Sequence, residues 1–208
     1  PLPAPLALPT DHVRPAVMLG QGASLVFRLD PQTTQTLRAA AQGTGRTLFS
    51  TLLGAFGLLL HKLTGQDDLV IGTPVRGRDH PELESLIGFF VNTLPVRLRP
   101  RADETVGEWL AQVQRHVIDA LSHPDVPMDH LVRTLRPPRD TSRSPLYQAL
   151  FSYQDARERS AAWGNLTHQR HDTPMVGAAQ DLGLWCVETP DDIEFTLSYD
   201  TGLFSEAS

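Results

Sequence analysis

The chain is short of cysteine, of contiguous basic charge and of long apolar runs, and each shortage removes a class of function. One thiol, Cys186, among 208 residues allows no internal disulfide, and without a matching ligand set it makes no zinc site. That usage predicts a reducing, cytoplasmic location. The 18 Lys+Arg are outnumbered by 24 Asp+Glu, giving a net charge of -6 and a pI near 5.7, and no run of consecutive basic residues is present to track a phosphate backbone. Nucleic acid is not an expected partner. The longest apolar stretch, Leu48 to Leu60, is broken by Ser50, Thr51, Gly54 and Gly57 and falls short of the roughly 18 to 20 residues that span a bilayer, so no membrane segment is expected. The first residue is Pro1, and no basic n-region leads into an apolar h-region, so the chain reads as a piece of something longer.

What is present is enough to fold. A 40% hydrophobic and 20% charged chain of this length can bury a sizeable core, which excludes disorder of the whole chain. Five of the 17 prolines, Pro1, Pro3, Pro5, Pro9 and Pro15, crowd the first fifteen residues. That density suits neither helix nor central strand, so residues 1–23 read as an extended arm or linker. Residues 24–208 then form one α/β lobe in which a mixed sheet packs with helices.

A strand is predicted from Ser24 to Leu29. Asp30 and Pro31 open a helix that Gly43 and Gly45 end, and Thr47 opens a second that Gly65 closes. The second helix is apolar nearly all round, which predicts burial on every side. Asp68 to Val75 reads as a strand buried on both faces, and Phe89 to Leu98 as a strand whose Pro95 marks an edge or bulge. Between them, Arg76 to Leu86 is a charged loop with one helical turn at most. Val106, Leu110, Val113, Val117 and Leu121, at spacings of 4, 3, 4 and 4, predict an amphipathic helix over Thr105 to Ser122. A shorter helix over Pro127 to Leu135 and a strand from Leu146 to Tyr153 come next, before a polar loop to about Gln180. Leu182 to Val187 and Ile193 to Tyr199 then form a hairpin, and Ser205 caps the start of a final helix that the chain does not complete.

Residues able to do chemistry are scattered. Among eight histidines, His168 and His171 lie beside Asp172 in the polar loop without helical spacing, and His116 and Asp119 are neighbours on a helix surface. Cys186 sits inside a strand, where a thiol packs as an apolar group. No metal site is expected. A Gly-rich phosphate loop, a Gly-x-Ser-x-Gly elbow and a His-Glu-x-x-His helix are all missing.

Three segments stand apart: Ile87-Gly-Phe-Phe-Val-Asn-Thr-Leu-Pro-Val-Arg97, His123-Pro-Asp-Val-Pro-Met-Asp129 and Arg139-Asp-Thr-Ser-Arg-Ser-Pro-Leu146. In order and spacing they resemble the fifth, sixth and seventh signature motifs of nonribosomal peptide synthetase condensation domains. Leu8-Pro-Thr-Asp11, Arg14-Pro15, Gly65-Gln-Asp-Asp68, Ile71-Gly-Thr-Pro74, Arg78, Asp181-Leu182 and Tyr199-Asp-Thr-Gly-Leu-Phe204 extend the resemblance over nearly the whole chain. The sixth motif departs from it, with Pro124, Met128 and Asp129 in place of the usual Gln, Phe and Glu. The His-His-x-x-x-Asp-Gly motif of the family's first half is absent, for no two histidines are adjacent.

The resemblance therefore implies the C-terminal lobe of a two-lobed domain, each lobe similar to chloramphenicol acetyltransferase, with the active site in a tunnel between lobes. The implied reaction forms an amide between two carrier-bound aminoacyl or peptidyl thioesters. This lobe would supply one wall and the floor of the tunnel, and alone it is expected to be inactive. No catalytic residue is assigned to it. Gly88, Phe89, Asn92 and Thr93 are the implied tunnel residues, Asn92 being the best candidate for hydrogen bonds to a phosphopantetheine arm. Arg78, Arg97, Asp125, Asp140, Arg143 and Asp181 are expected to hold loops. Implied partners are the N-terminal lobe, upstream and downstream peptidyl carrier domains that bring the phosphopantetheine, and an adjacent adenylation domain. Two alternatives stand beside this reading: a lobe of an epimerisation domain, which usually differs in the Gly-Phe-Phe-Val-Asn-Thr segment, and a non-catalytic platform for an adenylation domain.

Overall fold

In the computed structural model, which describes residues 2–78, 80–157 and 177–207, a single six-stranded mixed sheet carries helices on one face. In chain order the elements are β1 (Gly22–Leu29), α1 (Pro31–Gly43), α2 (Leu48–Thr64), β2 (Leu69–Val75), β3 (Asn92–Leu98), α3 (Val106–Leu121), α4 (Met128–Leu135), β4 (Ala149–Asp155), β5 (Leu182–Glu188) and β6 (Ile193–Asp200). The sheet order is β1-β6-β5-β4-β2-β3. β4 runs parallel to both β2 and β5, and the other pairs are antiparallel. This is the α/β class that the sequence pattern implies.

Local chemistry sets most boundaries. The Asp30 carboxylate accepts from the Thr33 amide and Pro31 fills the first position of α1. Thr47 accepts from the Ser50 amide at the start of α2, and Gly65, at φ 68°, ends that helix in the left-handed region that suits glycine. α3 begins with a capping box in which Thr105 and Glu108 bind each other's backbone amides. Pro95 lies on β3, an edge strand, where its missing N–H is tolerated.

The core fills the space between sheet and helices. Leu69, Ile71, Val96, Leu98, Phe151 and Phe195 from the sheet meet Leu53, Phe56, Leu60 of α2 and Trp109 and Val113 of α3. Trp109 is the pivot of this contact, its indole Nε1 donating to the Gly54 carbonyl at 3.0 Å. Gly54 and Gly57 make the approach possible, since a Cβ at either would press into Leu110, Leu98 or the Trp109 ring.

Three expectations are corrected. α2 is not buried all round: Leu59 and Leu63 are exposed, because only one side of the helix faces the sheet and α3. The segment Phe89–Val91 does not continue β3, for reasons that lie in the site below. No helix forms over residues 204–207; the Ser205 amide and hydroxyl instead bind the Asp11 carboxylate at 2.7 and 3.0 Å. The proline arm is extended and docks on the lobe. Leu6 and Leu8 are buried in the core, Leu6 N donates to Gln148 Oε1 at 2.6 Å, and Ala7 N donates to Gln66 Oε1 at 2.7 Å. Asp11 N and Met18 N extend the docking to Leu203 O and Thr141 O. His168, His171 and Asp172 lie outside the described residues.

Candidate functional site

The loop from Arg76 to Val91 leaves β2 at Val75 and returns at Asn92, which pairs with Val75 across the two strands. Arg78 fixes its course. Its Nη1 donates to Leu83 O at 2.6 Å and Leu86 O at 3.0 Å, and its guanidinium carbon lies 4.2 Å from the centre of the Phe90 ring. Gly77 backs onto the same residue at φ 61°, where a Cβ would overlap the Phe90 carbonyl oxygen. Thus Phe90 is held inward and cannot take up the strand, while Ile87 is fully exposed and Phe89 is 90% exposed. Gly88 is exposed between them.

Asn92 closes the site from the strand side. Its Nδ2 donates to Pro124 O and Val126 O, both at 2.8 Å, so each amide hydrogen is spent on the loop that joins α3 to α4. Among the described residues no donor meets its Oδ1. Asp125, between the two bound carbonyls, is exposed and makes no hydrogen bond or ion pair among the described residues; the loop is tied by its backbone, not by this carboxylate. Thr93 is half-buried opposite Pro74, with its side chain on the other face of the strand. The structure thereby brings the segments around Gly88 and His123 to one end of the sheet.

The remaining charged residues lie elsewhere. At the opposite end of β2 and β3, about 20 Å along a seven-residue strand, Arg97 Nε and Nη2 donate to Asp68 at 2.7 and 2.6 Å, with Arg99 Nε 3.3 Å away. The Arg97 guanidinium holds the Asp68 carboxyl below its ordinary value. Asp140 Oδ1 accepts from Ser142 N at 2.8 Å and Ser142 Oγ at 2.5 Å, which also keeps that carboxyl low, and Arg143 Nε pairs with Asp140 Oδ2 at 2.7 Å without hydrogen-bond alignment. Asp68, Asp140 and Arg143 border a cavity of about 460 Å³ walled on one side by the proline arm. Asp181, 1% exposed, receives both guanidinium nitrogens of Arg14, Nη1 at 3.0 Å from Oδ1.

Sequence pattern gives no hint of one further cluster. The buried Glu188 accepts from Tyr153 Oη and, at 2.8 Å, from Arg38 Nε, while Arg38 also binds the Thr189 and Pro190 carbonyls. This network ties α1 to the β5–β6 turn, and burial with the adjacent carboxylate raises the Tyr153 pKa. Burial alone pushes the Cys186 thiol up to about 12, which leaves it without nucleophilic thiolate at neutral pH. Among the described residues no group of three His, Cys, Asp or Glu is arranged to hold a metal ion, and no single helix is long and apolar enough to cross a membrane.

Residues 2–208 match the family model of the condensation domain. The chain belongs to the condensation-domain family. It is 39% identical over 201 residues to tyrocidine synthase 3 of Brevibacillus parabrevis, covering 97% of this chain and 3% of that protein. It superposes on the X-domain from teicoplanin biosynthesis with a TM-score of 0.87 at 31% identity, covering 99% of this chain and 48% of that one. A four-domain nonribosomal peptide synthetase bound to AMP and glycine gives 0.83 at 30% identity, covering 98% of this chain and 17% of that one. The condensation-domain chain thus spans a small part of its curated relative and about half of the X-domain.

Proposed function

We propose that this chain is the C-terminal lobe of a condensation domain that joins two carrier-bound thioesters through an amide. On this reading residues 24–208 form the lobe and the arm before them leads from its N-terminal counterpart. The loop carrying Gly88 and Phe89, together with Asn92, Thr93 and the His123–Pro127 loop, supplies one wall of the substrate tunnel. The observation that carries the reading is the double hydrogen bond from Asn92 to Pro124 O and Val126 O. It unites two family motifs more than thirty residues apart, beside the exposed apolar side chains Ile87 and Phe89.

In the reaction, the amine of the acceptor thioester attacks the donor's thioester carbonyl. A C–N bond forms, the C–S bond breaks with its electron pair moving to sulfur, and the proton lost by nitrogen is taken up as the thiol leaves. An α-amino group with a pKa of about 7.7 to 8 is already partly neutral near pH 7.5. Alignment then contributes most, and effective molarities of roughly 10⁵ M or more are available from it. A wall without a catalytic side chain suits that task. Phosphopantetheine enters as part of the substrates, delivered by upstream and downstream carrier domains, and an adenylation domain is the neighbour that loads them.

Reconstitution tests the reading. With two chemically loaded carrier proteins, the intact synthetase containing this chain is expected to form the amide while residues 1–208 alone form none. Turnover by the isolated chain overturns it, as does an intact synthetase that only binds the carriers or inverts a stereocentre.

A further inference from the structure

Asn92 is not the only feature at its end of the sheet. Side chains alternate along β3, so Asn92, Leu94 and Val96 share the helix-covered face, and their partners Val75, Thr73 and Ile71 share it with them. On that face, between the ends of β2 and β3 and the C-terminal turn of α3, lies a recess of about 200 Å³. Its floor is Thr73, Leu94 and Val117, all buried, and its rim is Phe49, Ala120 and Leu121, the last 48% exposed. The residue after this rim begins the loop whose carbonyls Asn92 binds, and Val75 in the lining is the strand partner of Asn92, so the recess adjoins the candidate site.

Three properties of the recess bear on what it takes. The lining is apolar apart from Thr73, which is 3% exposed. The volume is below the 300 to 1,000 Å³ of sites that enclose a whole small ligand, and suits one side chain. No charged group lines it.

We propose that this recess receives the apolar side chain of a carrier-bound amino acid and makes the reaction selective for aliphatic or aromatic residues over small or charged ones. The proposal rests on the tunnel reading, since it needs the substrates to pass Asn92. A hydrophobic pocket discriminates by about tenfold or more per missing methylene. The shared chemistry is the apolar side chain; donor and acceptor are its two possible sources.

The test uses the intact synthetase and carriers loaded chemically with glycyl, alanyl, leucyl, phenylalanyl or aspartyl groups, varied first on the acceptor with the donor fixed and then the reverse. One arm is expected to show leucyl or phenylalanyl used at least tenfold faster than glycyl and aspartyl, which identifies the source. Ala120→Leu, which fills the recess, is expected to shrink that ratio tenfold, and Leu121→Ala, which widens it, to shift preference toward phenylalanyl. The opposite responses keep the test decisive if either variant folds poorly. Amide formation with equal rates for every side chain on both arms, or variants that slow all substrates alike, overturns the inference while leaving the tunnel reading intact. Absence of amide formation from every pair overturns the tunnel reading instead.

Discussion

The Asn92 amide nitrogen lies 2.8 Å from the Val126 carbonyl oxygen and equally close to that of Pro124, so one side chain splices the start of an edge strand to the loop before α4. Removing it leaves two half-buried carbonyls without a donor, at about 1 to 3 kcal/mol for such a loss. Asn92→Ala is expected to raise hydrogen exchange over residues 122–128 while the central strands β4 and β5 stay protected. Asn92→Asp, which sets a carboxylate against both carbonyls, is expected to be worse than alanine; equal protection in all three proteins contradicts this role.

The Arg14–Asp181 pair is the most deeply buried ion pair that fastens the arm to the lobe. Arg14→Ala strands an uncompensated carboxylate that is 1% exposed, and a loss of about 3 to 5 kcal/mol in urea unfolding is expected. Arg14→Lys keeps the charge but not the two-pronged geometry and is expected to recover part of it. A silent Arg14→Ala contradicts this role and leaves the arm held by Leu6, Leu8 and its hydrogen bonds to Gln66 and Gln148.

Asp68 gives a signed pH dependence. Its pKa is lowered by Arg97 from an ordinary value of 3.8, so the stability it contributes is fully present above that value and is lost as pH falls through the lower folded value. Both side chains are about a third exposed, which limits the contribution to about 1 kcal/mol or less. Asp68→Asn is expected to cost that amount at pH 7 and nothing at the acid end, converging with the parent protein as pH drops below 3.8. A gap that widens in acid reverses the assignment.

Gly72 sits under the Tyr147 ring, which a Cβ would meet at 2.5 Å. The ring belongs to a rigid buried residue, so the overlap is not relieved by a flexible tip. Gly72→Ala is expected to cost about 1 to 3 kcal/mol, and Tyr147→Ala in the same chain is expected to relieve the overlap at the expense of its own packing. Additive losses in the double variant contradict the contact.

Most element boundaries were legible because they rest on neighbours in sequence. Asp30 with Pro31, Thr47 with Gly65, and Thr105 with Glu108 are local chemistry, and each does in the structure what its type and position imply. The errors share the opposite cause. Phe89–Val91 has strand composition, but Gly77 and Arg78, more than ten residues earlier, hold Phe90 out of the sheet. The docking of the expected arm is hidden for the same reason, since Gln66 and Gln148 bind it from far along the chain. The candidate site was half legible. The motifs around Gly88, Asn92 and His123 could be picked out by order and spacing, but that Asn92 gives both amide hydrogens to backbone carbonyls 32 and 34 residues away is a tertiary fact with no local pattern. The apolar recess beside it is still less visible, being assembled from α2, β2, β3 and α3.

The account turns on whether this end of the sheet orders the substrates for amide formation. The most direct measurement is the single-turnover rate of condensation in the intact synthetase, with carriers already loaded, for the parent protein and for Asn92→Ala. A fall of about tenfold or more is predicted, the effect of losing about 1.4 kcal/mol of transition-state alignment, with carrier loading and adenylation unchanged. An unchanged rate in a variant of normal stability contradicts the central claim.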